Sequence, residues 1–87
     1  MAIKLIEFSA SWCFPCKLQK PIMETIGKKY KSIKIQMIDI DNDKELASKY
    51  GIKAVPTVII ERDGKELNRF VGVTTEKEIE KALEKYK

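Results

Sequence analysis

The chain has 87 residues, of which 44% are hydrophobic and 34% are charged, and its net charge is +4. This length fits one small domain with a single core, which we expect to span residues 1–87, and the composition excludes a disordered or membrane-embedded protein. The basic residues are interspersed with acidic ones, whereas a nucleic-acid interface needs a clustered basic face.

The first eight residues are too short for the apolar region of a secretion signal, and Lys4 and Glu7 interrupt them. No stretch approaches the ~18 consecutive apolar residues of a membrane span. We therefore expect a cytoplasmic protein that acts away from membranes. In a reducing compartment a structural disulfide is disfavoured, so paired cysteines there are better suited to catalysis or metal binding.

The N-terminal half begins with a mostly apolar run at residues 3–8, typical of a strand that is buried on both faces. A helix is predicted from Cys13 to about Tyr30, with Pro15 in its first turn, where a missing N–H costs nothing. Its apolar positions at helical spacing are Leu18, Ile22, Met23, Ile26 and Tyr30.

The rest of the chain predicts five more elements from apolar spacing, capping and turn signals. They are strand 33–40, helix 44–50, strand 57–61, strand 66–71 and a last helix after the capping box of Thr75 and Glu78. Met37 is expected on the same face of its strand as Ile33 and Ile35. Asp63-Gly64 is a hairpin signal between the last two strands.

The predicted order is β-α-β-α-β-β-α, an α/β fold with one mixed four-stranded sheet. The first βαβ unit should pair its strands in parallel, and the last two strands should form an antiparallel hairpin. We expect helices on both faces, with the long first and last helices on one face and the short middle helix on the other.

Cys13 and Cys16 are the only cysteines, and they stand between the first predicted strand and helix. Unsatisfied backbone N–H groups at a helix start favour thiolate over thiol, and the thiolate is the reactive form. Residues three apart on a helix are neighbours, so the two sulfurs can reach disulfide distance. We therefore expect the pair to make and break a disulfide as its function.

Two other interpretations of the cysteines are weighed against redox chemistry. A zinc site needs about four ligands, but the chain has no third cysteine and no histidine, which leaves a metal shared across a dimer. Two ordinary core thiols are the second alternative, because buried cysteine is common. The position at a helix start and the proline between the sulfurs favour redox chemistry.

Several motifs stand at matched spacing along nearly the whole chain. They are Glu7-Phe8-Ser9-Ala10-Ser11-Trp12-Cys13-Phe14-Pro15-Cys16-Lys17, Pro21, Asp39-Ile40-Asp41, Tyr50-Gly51-Ile52-Lys53-Ala54-Val55-Pro56-Thr57, Asp63-Gly64-Lys65 and Gly72. In these motifs the chain resembles the thioredoxin family. The resemblance implies the minimal version of the thioredoxin fold, near the size of a glutaredoxin.

The resemblance also implies unequal roles for the cysteines. Cys13, expected to be the more exposed, attacks a substrate disulfide, and Cys16 resolves the mixed disulfide, which leaves a Cys13–Cys16 bond. The Val55-Pro56 bond should be cis and face the sulfurs, with the Val55 backbone pairing with bound substrate as a short strand would. By the same resemblance Pro56 keeps a metal off the thiols.

The substrate surface implied by the resemblance extends to the residues around the pair. Trp12 flanks the site for packing and docking, and Gly72 keeps the surface near Pro56 flat. Phe14 departs from the family, whose usual residues between the cysteines are Gly-Pro. Its ring either contacts substrate beside Pro15 or covers the sulfur.

Glu7 interrupts an otherwise apolar strand, and carboxylates are rarely buried without a reason. One interpretation is a strand-edge residue that reaches solvent. The resemblance implies instead a buried proton acceptor beneath Cys16, where thioredoxins carry an aspartate, with a pKa raised by desolvation. The lysine that often accompanies that aspartate is replaced here by Met37.

The function implied by the resemblance is reduction of protein disulfides by a monomer that binds no cofactor, with electrons from an NADPH-dependent thioredoxin reductase. No histidine stands between the cysteines, which favours a reductant over an oxidant. One alternative is a glutaredoxin-like enzyme that draws on glutathione, although the Gly-Gly pair of glutaredoxins is absent near Gly72. Another is a non-catalytic subunit that uses the same surface for binding.

Overall fold

The protein is described by a computed structural model that covers residues 2–86. Seven elements occur in the predicted order: β1 (Ile3–Ser9), α1 (Phe14–Lys29), β2 (Lys34–Asp39), α2 (Lys44–Lys49), β3 (Thr57–Arg62), β4 (Lys65–Val71) and α3 (Glu76–Glu84). Within this range no helix is long and apolar enough to cross a membrane.

The four strands form one sheet in the order β2-β1-β3-β4. β1 pairs in parallel with β2 and antiparallel with β3, and β3 pairs antiparallel with β4, which confirms the predicted mixed sheet and hairpin. β1 is therefore a central strand. Its side chains are covered on both faces, which explains why its sequence is almost continuously apolar.

One core cluster lies on each face of the sheet, and a third, smaller one is formed by Ala10 and the two cysteines. On one face, strand residues such as Leu5 and Val58 pack against α1 and α3 through Met23, Ile26 and Leu83. On the other face, the cluster comprises Ile6, Phe8, Ile38, Ile59 and the α2 residue Ala47. The predicted arrangement of the helices, two on one face and the short one on the other, is confirmed.

Turns and caps formed where local signals predict them. Asp63 and Gly64 have positive φ angles of 53° and 80°. Asp-Gly pairs adopt these angles at low cost in the tight turn between two antiparallel strands. The capping box of Thr75 and Glu78 begins α3, and the Asp43 side chain accepts from Leu46 N–H at the start of α2.

Two apolar residues of the predicted helix and strand lie outside the core. Leu18 is 50% exposed, because the buried face of α1 runs through Cys16, Gln19, Met23 and Ile26 instead. Met37 is 41% exposed, because it stands on β2, an edge strand of the sheet. Both apolar side chains are therefore only partly covered by the rest of the protein. On α1 the neighbouring polar residue Gln19 is buried in the core instead.

Candidate active site

Cys13 occupies the position that starts α1. Its own N–H donates to Ala10 O at 3.1 Å, which closes the turn after β1, and its Sγ accepts the Cys16 N–H at 3.2 Å. A sulfur atom thus takes the place that a serine or aspartate oxygen usually has at a helix start. An N–H donor and the positive end of a helix are surroundings that stabilise the thiolate of a reduced cysteine.

Cys13 and Cys16 are joined by a disulfide, with their Cα atoms 5.4 Å apart. Both residues are 4% exposed, so the expectation that Cys13 is the more exposed is wrong for this oxidised form. Val55 and Ile40 pack against the cluster that Ala10 and the two cysteines form, which contributes to the burial of the pair. What distinguishes the sulfurs is their surroundings: Cys13 Sγ lies 3.7 Å from Val55 O, whereas Cys16 borders a pocket behind the pair.

The Val55-Pro56 peptide bond is cis, as expected. Pro56 is buried, and its carbonyl accepts the Gly72 N–H at 2.8 Å. Gly72 has φ of 92°, a conformation that residues with a Cβ rarely adopt. The structure therefore brings Cys13, Val55, Pro56 and Gly72 together from three separate parts of the chain.

The surface beside the disulfide is apolar and open to solvent. Trp12 and Phe14 are each 67% exposed, and Pro15 is exposed as well. The Trp12 indole N–H donates to Asp41 Oδ2 at 2.9 Å, which fixes the ring without burying it. Exposed aromatic rings held in place in this way are suited to contact with another protein.

Glu7 is fully buried, which contradicts the interpretation that it reaches solvent at a strand edge. It lies on central strand β1, and neither carboxylate oxygen has a hydrogen-bond partner within the described part of the chain. Burial raises the pKa of Glu7 to about 7, while the positive charge of Lys20 lowers it. Glu7, Lys20 and Cys16 line the same pocket, whose volume is about 160 Å³. A carboxyl group with this pKa can take up and release a proton near neutral pH.

Gln19 is a site residue that sequence reasoning missed. It is fully buried, its Nε2 donates to Thr74 O at 2.9 Å, and its Oε1 accepts Thr74 N–H at 2.8 Å. The Thr74 hydroxyl in turn donates to Gly72 O at 3.0 Å. The amide therefore ties the segment that contains Gly72 to the helix that contains Cys16. The available signal was its position three residues after Cys16 and four before Met23, on the buried stripe of α1.

Replacing Gln19 by leucine should destabilise the protein by about 2–4 kcal/mol. Leucine keeps much of the volume but leaves the N–H and C=O of buried Thr74 without partners, and each unpaired buried group costs about 1–3 kcal/mol. Urea unfolding of the oxidised protein measures the change. Gln36→Leu on β2 is the matched control, because Gln36 is half-buried and makes no side-chain hydrogen bond in the described structure; equal losses from the two variants would contradict the assigned role.

Comparison with known sequences identifies relatives along nearly the whole chain. The sequence model of the family described as Thioredoxin matches residues 2–85. Thioredoxin of Chlamydia caviae is 41% identical over 69 residues, which cover 79% of this chain and 68% of that protein. Thioredoxin of Porphyra purpurea is 34% identical over 83 residues, which cover 94% of this chain and 78% of the Porphyra protein.

Solved structures give the same similarity. The X-ray structure of Fasciola hepatica thioredoxin superposes with a TM-score of 0.91 at 31% identity, over 99% of this chain and 82% of that one. The crystal structure of thioredoxin from Trypanosoma brucei brucei has a TM-score of 0.89 at 32% identity, over 98% of this chain and 74% of that one. The seven elements of this chain are thus arranged in a fold that these proteins share.

Proposed function

Because the chain belongs to the thioredoxin family and is a protein thiol–disulfide oxidoreductase, we propose that it works as a reductant in which Cys13 attacks and Cys16 resolves. The observation that carries these roles is the Cys16 N–H that donates to Cys13 Sγ at the start of α1. That hydrogen bond and the helix N-terminus favour a thiolate on Cys13. Cys16, in contrast, borders the pocket that contains the Glu7 carboxyl.

The reaction is two successive thiol–disulfide exchanges. The Cys13 thiolate attacks one sulfur of the substrate disulfide, so that a mixed disulfide forms and the other substrate sulfur leaves as a thiolate. Cys16 gives its proton to Glu7, and its thiolate attacks Cys13 Sγ. The Cys13–Cys16 bond forms, the second substrate sulfur leaves, and two electrons have passed to the substrate.

The substrate binds where the disulfide meets the Val55-Pro56 bond. Val55 O lies 3.7 Å from Cys13 Sγ, so an extended substrate segment that pairs with the Val55 backbone brings its own sulfur beside Cys13. Trp12, Phe14 and Pro15 on one side and Gly72 on the other give this position an exposed apolar rim. The large exposed ring of Phe14 supports substrate contact as its role.

The protein acts as a cytoplasmic monomer of one domain spanning residues 1–87, without a bound cofactor, and is reduced again by an NADPH-dependent thioredoxin reductase. The sequence Trp-Cys-x-Pro-Cys favours this electron source over glutathione. A second copy is not needed for the chemistry, because one chain supplies both cysteines, Glu7 and the Val55-Pro56 bond.

Reduction of insulin disulfides tests the proposal. With NADPH and thioredoxin reductase we expect continuous turnover, and Cys13→Ser should lower it by ~100-fold or more, since no other thiolate attacks in its place. Turnover with glutathione and glutathione reductase alone would indicate the glutaredoxin-like alternative. No turnover from either electron source, with Cys13 intact, would contradict the proposal and favour a binding subunit.

A further inference from the structure

The pocket behind Cys16 holds an unusual set of charges. Glu7 enters it from β1, Lys17 and Lys20 from α1, and Asp39 from β2. Glu7 is fully buried and both of its oxygens lack a hydrogen-bond partner in the described residues, whereas Lys20 also reaches solvent. A buried carboxylate that must ionise near neutral pH needs a compensating positive charge.

The register of the sheet shows that β2 does not supply this charge. Met37 is the residue paired with Glu7 across the β1–β2 ladder, and the β3 residue paired with Glu7 is Val58. Asp39 is negative and is paired with Ser9, two residues further along β1. The positive groups of the pocket therefore come from α1 alone.

Of the two lysines, Lys20 has the better placement. It follows Cys16 by four residues on α1, so the two side chains project from the same side of the helix, whereas Lys17 directly follows Cys16 and projects about a quarter turn away. Lys20 is also the residue whose charge opposes the effect of burial on the pKa of Glu7. Lys20 is thus the cation that acts on Glu7.

We propose that Lys20 is a positioning residue whose ammonium group stabilises the Glu7 carboxylate across this pocket, so that Glu7 is ready to accept the proton of Cys16. The effect of Lys20 on catalysis rests on the proposed function. The interaction between the Lys20 and Glu7 charges does not depend on the proposed function.

Lys20 acts at the step in which Cys16 loses its proton to Glu7. Before resolution Glu7 is an anion and Cys16 a thiol; the proton passes to Glu7, and the Cys16 thiolate attacks Cys13. Glu7 afterwards returns its proton to solvent through the pocket. Without the Lys20 charge the buried carboxyl stays protonated at higher pH, and a protonated carboxyl cannot accept the proton of Cys16.

The first test is the titration of the Glu7 side-chain carboxyl carbon by NMR in the oxidised protein. Lys20→Gln should raise the pKa of Glu7 by about 0.5 or more, since a positive charge lining the same pocket favours the ionised form of the carboxyl. Lys17→Gln is the matched control and should raise it less. Lys20→Arg should keep the original pKa, and adding Met37→Lys to Lys20→Gln should lower it again. Equal effects of the Lys17 and Lys20 variants, or none from Lys20→Gln, would overturn the proposal.

The second test is the pH profile of insulin reduction with saturating thioredoxin reductase. Lys20→Gln should lower turnover about twofold at pH 7 and leave it unchanged at pH 9, because raising a pKa of about 7 by about 0.5 roughly halves the ionised fraction at pH 7 and hardly changes it at pH 9. A loss that is the same at both pH values would indicate a structural role and overturn the proposal. If the unsubstituted protein reduces no insulin at any pH, the proposed function fails, while the NMR comparison still decides whether Lys20 acts on Glu7.

Discussion

Cys16→Ser is expected to stop the reaction halfway, with the substrate covalently bound to Cys13. Serine cannot form the second disulfide, so the mixed disulfide persists and turnover falls by ~100-fold or more. Mass spectrometry after mixing with a disulfide-bonded peptide should show a one-to-one adduct that dithiothreitol releases. The accumulation of this adduct is the clearest sign that resolution, rather than attack, has been removed.

The matched control is Cys13→Ser, which keeps Cys16 and should form little adduct. Both cysteines are 4% exposed, so access alone does not predict this difference. It depends on the Cys16 N–H and the start of α1, which favour a thiolate on Cys13. A stable adduct on Cys16 in the Cys13→Ser protein, with none on Cys13 in the Cys16→Ser protein, would reverse the assigned roles.

We expect Glu7→Gln to change the free energy of unfolding of the oxidised protein differently at low and high pH. The change at alkaline pH should be more stabilising than the change at pH 4 by about 3 kcal/mol. In the folded state burial raises the pKa of Glu7 from 4.5 to about 7, which corresponds to about 3 kcal/mol. Below pH 4.5 the carboxyl is protonated in both states and costs nothing. Between pH 4.5 and 7 only the unfolded chain has lost the proton, so stability falls as pH rises and levels off above 7.

Denaturant unfolding at pH 4 and pH 8.5 measures this difference. Carboxyl groups in general also titrate near pH 4, but the others are present in both proteins, so their contribution cancels when Glu7→Gln is compared with the unsubstituted protein at each pH. Glu24→Gln, at an exposed position on α1, is the control and should change stability equally at the two pH values. If Glu7→Gln also gives equal changes at both, the carboxyl is not held neutral by burial.

Local sequence signals predicted the parts of the fold whose causes are local. The Asp63-Gly64 turn and the Thr75 capping box depend on residues within three positions of one another, and both formed where expected. The mostly apolar run of β1 predicted a strand buried on both faces, and β1 is a central strand of the sheet. Glu7 was the charged residue that interrupted this apolar strand. Its carboxylate is buried and has no hydrogen-bond partner in the described structure.

The errors concern residues whose environment depends on distant parts of the chain. The place of Gln19 on the buried stripe of α1 indicates burial, but both of its hydrogen-bond partners belong to Thr74, 55 residues away, and no pattern around Gln19 identifies them. Leu18 and Met37 fit the apolar spacing of their elements, yet they lie at the margins of a helix face and of the sheet and are largely exposed. The burial of the two cysteines likewise depends in part on Val55 and Ile40, which pack against their cluster from other segments.

The hydrogen bonds between Gln19 and Thr74 join the N-terminal part of the chain, which contains both cysteines, to the C-terminal part, which contains Gly72. Opening either part has to break these buried bonds, so we expect the two parts to open together. The reactive cysteines and the proposed substrate surface would then be present together or absent together. A partly unfolded molecule with an accessible cysteine but without that surface is expected to be rare.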